Sequence, residues 1–406
     1  MQYAILLHPG HNRVYFRSSL ALSQTEFSFA MPRLTSDVSE GKIEEIASIP
    51  YLTFSSATPL PEEDLTLLAR LSFTYGLFLR DGEGKDTCLR PIPLPQENYL
   101  PEAARTVLKY SGKTNELFTR LLLTIAYGAS STKPNGRFRL LDPIAGKGTT
   151  LVEGLLCGYD AYGMEIQSDS VLAAYQFMKK LLEEEKCKHT AHSQRVSGPG
   201  RCFTGKQYTL SFAPDKARMK SAPLLWEMTG VNSRFTDQVY AKNFFDFLVG
   251  DLPYGVQHKN QLTKKQPGFT RNPADLVTAC APAWYTVLKP GGALVLAFNA
   301  FLLSFADFQT ILTQAGFDVD DSALARSLVH RVDQAILRDV IIAKKKQILI
   351  VEVKKRAFQG LQSSLSCRIV CKHRAAAYMS MAKQIETIGE IEKPFRRKTF
   401  SLNRSP

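Results

Sequence analysis

The sequence predicts an α/β fold built on a doubly wound, mostly parallel sheet, and three observations carry that prediction. From about residue 138 to 345, short apolar runs alternate with amphipathic stretches, the pattern of strand–helix units that feed a parallel sheet. Two of the apolar runs, "RFRLLD" and "FFDFLVGD", end in a carboxylate and a turn, at the strand end where open α/β sheets bind ligands. The charge is segregated: fifteen Lys/Arg and four Asp/Glu from Lys344 onward carry +11 of the total +13. The body is therefore nearly neutral, and a basic function has to be sought in local clusters.

Each element follows in order. "YAILL" reads as a strand, followed by extended or helical structure. "PEEDLTLLARLSFTYGLFL" opens with acids, which favour a helix N-terminus, and continues with apolar spacing. "DGEGKDTCLRPIPLPQENYLP" gathers Gly, Pro and polar residues as a linker or hairpin does. Residues 1–100 thus read as a small N-terminal α+β accessory module. In the next stretch Leu117, Leu121, Leu122 and Ile125 have helical spacing. "RFRLLDPIAG" is a strand, "TTLVEGLLCGY" a helix, and "DAYGMEI" a strand that ends at Glu165. "SDSVLAAYQFMKKLLEEE" is an amphipathic helix with Ser168 or Asp169 as its N-cap. Residues 186–230 are basic and rich in Gly, Ser and Thr; they read as an insertion, a hairpin that tracks RNA being one reading. "FFDFLVGDLPYG" is the third clear strand. "RNPADLVTACAPAWYTVLKPGG" is a helix capped by Asn272 with Pro273 at its first position. "ALVLAFN", "SFADFQTILTQAGF" and "DQAILRDVIIAKK" supply a strand, a helix and a last strand. Residues 101–345 form the sheet domain, and 346–406 a basic C-terminal extension.

Composition excludes several classes. No apolar run approaches the length that spans a bilayer, so no membrane partner is expected. The N-terminus lacks the charged region and small-residue site of a signal peptide. Seven scattered cysteines suit reduced thiols and a cytoplasmic location. Cys367, Cys371 and His373 form C-x3-C-x-H with no fourth ligand at a familiar spacing, so no metal is expected.

The loop "DPIAGKGTT" looks at first like a triphosphate loop. That loop requires G-x-x-x-x-G-K-[ST]. Here Lys147 stands between two glycines, and Asp142, four residues before Gly146, would repel a phosphate. A dinucleotide loop requires a third glycine where Leu151 stands. What remains is a nucleoside cofactor. Gly146 and Gly148 let the backbone turn and approach it, and Glu165 is placed to bond the ribose hydroxyls. Asp142 suits a cation such as the amino group of S-adenosylmethionine. The bland alternative is a loop whose glycines only turn the chain.

The second motif is Asp251-Leu252-Pro253-Tyr254-Gly255. An exocyclic amino group on a nucleobase is a poor nucleophile because its lone pair is delocalised. Acceptors on its two hydrogens, the Asp251 carboxylate and the Leu252 carbonyl, make the nitrogen more tetrahedral. Pro253 helps aim that carbonyl in advance, and Tyr254 can stack on the base. The bland alternative is an exposed turn.

With these two strand-end motifs in order within one alternating fold, residues 101–345 resemble a class I S-adenosylmethionine-dependent methyltransferase, which is Rossmann-like. The resemblance is to the tRNA guanine-N2 methyltransferases that usually carry a THUMP RNA-binding domain. It implies that Asp142, Pro143, Gly146, Gly148, Thr149 and Glu165 bind the cofactor, that Asp251, Leu252, Pro253 and Tyr254 are catalytic, and that "LKPGG" (288–292) is the turn before the fifth strand. Asn232 is the candidate for the adenine contact, where an acid is usual. Lys113, Thr114 and Asn115 are placed to contact the methionine carboxylate, with Asn115 or Thr114 also capping the helix that follows; the bland alternative is capping alone. Lys259, Lys264, Lys265 and Arg271 lie after the catalytic motif with no acid among them, as a segment that grips RNA phosphates would. Arg331, Asp333 and Arg338 read as surface ion pairs. The expected partner is RNA, tRNA in particular, with no protein partner indicated. The alternatives are a DNA adenine-N6 or cytosine-N4 methyltransferase and a non-catalytic RNA-binding protein.

Overall fold

The structure is a computed structural model. It describes residues 1–8, 13–82, 84–95, 99–100, 104, 115–253 and 272–347, with only the backbone of 13–18 and 85. The described residues belong to one compact unit, Met1–Gln347. Residues 348–406, with Cys367, Cys371 and His373, lie outside the described residues.

The N-terminal module is an antiparallel sheet in the order β2-β3-β1-β4-β5. Its strands are β1 (Gln2–Leu7), β2 (Lys42–Ile46), β3 (Ile49–Ser55), β4 (Thr74–Asp81) and β5 (Cys88–Ile92). Residues two apart on β1, namely Tyr3, Ile5 and Leu7, share a core with Phe27, Phe54 and Leu68, as the period of a strand requires. Helix α1 (Arg13–Ala30) and helix α2 (Glu62–Arg70) supply Phe27 and Leu68 to that core. The acids expected at the start of α2 are Glu62, Glu63 and Asp64. Asp64 also accepts from the Thr35 and Ser36 amides at 2.7 and 3.0 Å.

The second sheet follows the order β13-β15-β12-β11-β6-β7-β10-β9-β8, with β14 paired to β15. After α3 (Glu116–Ala129) come β6 (Arg139–Asp142), α4 (Thr149–Leu156), β7 (Asp160–Met164) and α5 (Ser168–Glu184). The hairpin β8 (Lys188–Ser197) and β9 (Thr204–Ala213) follows, then α6 (Lys216–Ser221), β10 (Leu224–Thr229), the short α7 (Thr236–Val239) and β11 (Phe245–Asp251). The unit closes with α8 (Pro273–Val287), β12 (Leu288–Asn299), α9 (Phe305–Gln314), β13 (Asp318–Val319), α10 (Ala323–Arg326), β14 (His330–Arg331) and β15 (Leu337–Lys344). Strands β10, β7, β6, β11 and β12 are mutually parallel, and β15 runs antiparallel to β12. This is a doubly wound, mostly parallel, Rossmann-like sheet. Strand β11 is buried along six of its seven residues, because helices cover both faces of a parallel sheet.

Three expectations need correction. Residues 186–230 contain the anticipated hairpin, but they are not wholly an insertion. Leu224–Thr229 is β10, paired in parallel with β7 and carrying the fully buried Trp226. Its short apolar run was masked by the polar residues before it. Helix α5 starts at Ser168 with Gln167 in the cap position and no side-chain cap bond, so neither Ser168 nor Asp169 caps it. "LKPGG" is drawn into β12, where Gly291 takes φ +79° and the pairing with β11 shifts register.

The module packs on the sheet domain through α1 and α3. A Cβ on Gly128 would lie 2.0 Å from the Phe29 carbonyl oxygen, so glycine permits the close approach. Arg33 donates from Nε to the Tyr127 carbonyl at 3.0 Å and stands 4.7 Å from the Tyr127 ring centre. Fully buried Glu26 on α1 accepts from the Ser72 amide at 2.9 Å, from the Ser72 hydroxyl, and from the Thr124 hydroxyl of α3.

Burial pushes Glu26 from 4.5 up to about 7, although the Ser72 and Thr124 hydrogen bonds and Arg120 oppose the rise. The folded state therefore favours the protonated acid. This contribution to stability is complete below the unfolded value of 4.5 and is lost as pH rises through about 7. The loss is on the order of 3 kcal/mol. Urea unfolding of the wild type and of Glu26→Gln from pH 4.5 to 8 should show their difference changing by that order, with Gln gaining on the wild type as pH rises. A constant difference would contradict the ionisable role.

Candidate active site

Three carboxylates converge at the C-terminal ends of adjacent parallel strands. Asp142 closes β6, Glu165 follows β7, and Asp251 closes β11. Asp142 is 3% exposed. It accepts from the Ile144 amide at 3.0 Å and from the Thr150 hydroxyl. Burial raises its pKa from 3.8 to about 7. These hydrogen bonds oppose the rise, and the negative charges of Asp251 and Glu165 add to it. A Cβ on Gly250 would come 2.9 Å from Asp142 Oδ1, so a glycine before Asp251 lets the two acids share this end of the sheet.

The loop between β6 and α4 is anchored mainly by its own backbone. The Ala145 amide donates to the Met164 carbonyl at 2.8 Å, and the Gly148 amide to the Ala145 carbonyl at 2.7 Å. Gly146 and Gly148 take φ +53° and +87°, values that favour glycine. Gly148 is the N-cap of α4, with Thr149 buried behind it, and Pro143 is buried at the start of the loop. Glu165 braces the loop from the next strand. Its Oε2 accepts from the Gly146 amide at 2.9 Å and its Oε1 from the Gln167 amide at 2.8 Å. Burial raises the Glu165 pKa, and these amide bonds, with that of Ile166, lower it.

The structure thus brings together Asp142, Pro143, Gly146, Gly148, Thr149, Glu165, Asp251, Leu252 and Pro253. Leu252 is buried, and its amide donates to the Ala297 carbonyl at 2.8 Å; Pro253 is exposed. Asn232 follows β10, and its Oδ1 accepts from the Arg234 amide at 3.0 Å, capping a short turn. Asn115 caps α3, accepting from the Phe118 amide at 3.1 Å. Lys113, Tyr254, Lys259, Lys264, Lys265 and Arg271 lie outside the described residues.

Arg338 is the residue that sequence reasoning misplaced. It is 6% exposed, and its Nη2 lies 3.9 Å from Asp251 Oδ2. It is therefore not part of a surface ion pair. The available signal was its place at the head of the apolar strand "LRDVIIA". Arg331 is exposed and donates to the Asp333 and Gln334 carbonyls.

The donor set fits S-adenosyl-L-methionine. A buried acid cluster suits a cationic ligand, a carboxylate at the second strand end suits a ribose, and the position beside Gly146 has no atom within 4 Å of where a Cβ would lie.

Residues 119–300 match the family model UPF0020, described as an RMKL-like methyltransferase domain. A comparison with curated protein sequences returns no match. Among solved structures, the chain is similar to the rRNA methyltransferase aviRa from Streptomyces viridochromogenes. The identity is 10% and the TM-score 0.36, over 60% of this chain and 93% of that one. It is also similar to the Thermus thermophilus 16S rRNA N2 G1207 methyltransferase RsmC, in complex with AdoMet and guanosine. There the identity is 16% and the TM-score 0.30, over 75% of this chain and 58% of that one. A third is a TehB-like SAM-dependent methyltransferase from Corynebacterium glutamicum, at 17% identity and TM-score 0.29, over 53% of this chain and 83% of that one. Residues 119–300 are thus similar to a methyltransferase domain, and the cofactor that the donor set above fits is S-adenosyl-L-methionine. Among the described residues no helix is long and apolar enough to cross a membrane.

An ionised carboxylate favours a cationic ligand, and burial pushes the Asp142 pKa up to about 7. Cofactor affinity should therefore rise with pH and level off above 7, by about tenfold between pH 6 and 8. In Asp142→Asn it should be weaker at pH 8 and lose most of that slope. Calorimetric titration of both proteins with S-adenosyl-L-methionine checks this, and a wild-type affinity independent of pH would refute it.

Proposed function

We propose that this protein methylates an exocyclic amino group of a nucleobase in RNA, with guanine N2 of tRNA as the target. The observation that supports it most is the placing of Asp251-Leu252-Pro253 at the end of β11, against the acids and glycine loop that suit the cofactor. When bound, S-adenosyl-L-methionine supplies a methyl group on a sulfonium, whose C–S bond pair stays on sulfur as the amino nitrogen forms the N–C bond. Asp142, Pro143, Gly146, Gly148, Thr149 and Glu165 hold it in this reading, with Asn232 near the adenine.

The protein's part is to prepare the nitrogen. Asp251 accepts a hydrogen bond from the amino group and draws it out of conjugation with the ring. Leu252 offers its backbone carbonyl to the second hydrogen. The Leu252 amide is tied to β12, and proline follows, so this short segment is held before substrate arrives. Preorganised acceptors of this kind need no rearrangement in the transition state. The methylated nitrogen carries a positive charge until its proton leaves, and the anionic site favours that charge. Tyr254 stacks on the base, and Lys259, Lys264, Lys265 and Arg271 take RNA phosphates. These assignments rest on the sequence.

Purified protein incubated with methyl-labelled S-adenosyl-L-methionine and separate pools of tRNA, ribosomal RNA and DNA should place label in tRNA, recovered as N2-methylguanosine. Asp251→Ala should reduce transfer by about two orders of magnitude or more while cofactor binding persists. Label in ribosomal RNA alone would replace the substrate, label in DNA alone would replace the substrate class, and transfer unaffected by the substitution would remove Asp251 from the mechanism.

A further inference from the structure

The reading of Asp251 leaves a buried cation unexplained. Strand β12 separates β11 from β15. Ala297 on β12 pairs with Asp251 on one side and with Val340 on the other, and Asn299 pairs with Arg338. Arg338 shares its strand with Val340 and Ile342, both fully buried. An arginine there costs burial of a permanent charge unless it is partnered.

Among the described residues, Asp251 and Phe118 lie against its guanidinium. Asp251 Oδ2 is 3.9 Å from Nη2, and the ring centre of Phe118 is 4.3 Å from the guanidinium carbon. Phe118 is 1% exposed and sits in the first turn of α3, whose cap Asn115 holds its amide. The face of Phe118 attracts a cation and keeps water away from this side of the pair. Ala297 belongs to the same buried cluster as Phe118 and Val340. Its small side chain leaves room for the arginine to reach across β12.

We propose that Arg338 is a positioning residue for methyl transfer, its guanidinium holding the Asp251 carboxylate ionised and in place to accept the amino hydrogen of the target base. This rests on the methyl-transfer reading of Asp251. Among the described residues, the charged and titratable groups around Asp251 are Asp142 on β6 and Arg338 on β15. Glu165 stands next to Asp142, and His330 on β14 is paired with Arg338. Asp142 and Glu165 repel a charge on Asp251, and Arg338 is the group that opposes them. Without it, Asp251 takes up a proton more readily, and a protonated acid is a poorer acceptor.

The test compares Arg338→Gln, Arg338→Lys and Ala297→Val with the wild type. Methyl transfer is followed from pH 5 to 9, alongside cofactor binding and the carboxyl titration of Asp251 by carbon-13 NMR, assigned with Asp251→Asn. Arg338→Gln should lower kcat about 10- to 100-fold. Cofactor Kd and RNA KM should change little, and the acid limb of the profile should move to higher pH. Arg338→Lys should recover part of the rate and keep the acid limb near its wild-type position. Ala297→Val, which narrows the crossing, should move the limb as Gln does. An Arg338→Gln protein with the wild-type profile would overturn the proposal. So would a rate lost equally in Gln and Lys together with cofactor binding, the mark of a merely structural residue. The titration separates the two readings. Asp251 should titrate at lower pH in the wild type than in Arg338→Gln. Equal titration overturns the Arg338 assignment whatever the activity. An arginine-dependent titration in a wild type that transfers no methyl group overturns the catalytic reading of Asp251, and the positioning role with it.

Discussion

Crowding of three carboxylates at one end of a parallel sheet is the constraint on which this site depends. Asp142, Glu165 and Asp251 end neighbouring strands, and each disfavours ionisation of the next. The structure answers that repulsion with backbone and with one arginine. Glu165 takes the Gly146 and Gln167 amides, Asp142 takes Ile144 and Thr150, and Asp251 has Arg338 beside it. What is left uncompensated at Asp142 is a preference for a cation.

The N-terminal module joins the sheet domain through a buried polar chain as well as through packing. Glu26 on α1 reaches Thr124 on α3. One turn earlier on α3, Arg120 pairs with Glu153 at 3.2 Å, and Glu153 is 1% exposed on α4. Helix α4 carries the glycine loop at its N-terminus. The module thus bears on the helix pair behind the cofactor loop, with Gly128 allowing α1 and α3 to come close.

Much of the architecture was legible because parallel strands buried on both faces read as continuous apolar runs. "FFDFLVGD" and "RFRLLD" needed no context, and the caps Asn115 and Asn272 stood where local chemistry placed them. Strand β10 was hidden because its six residues follow a polar hairpin, and its parallel partner β7 lies some sixty residues earlier in the chain.

By itself the sequence determined the order of strands and helices, the two strand-end motifs and the charge of the C-terminal extension, because all of these depend on neighbours along the chain. Only the tertiary structure decided that Arg338, 87 positions after Asp251 in the chain, lies against it. That contact arises because β15 returns antiparallel beside β12, and because the position between them is an alanine. No periodicity or spacing encodes a meeting across an intervening strand. It follows from the register of three strands and from the space a small side chain leaves.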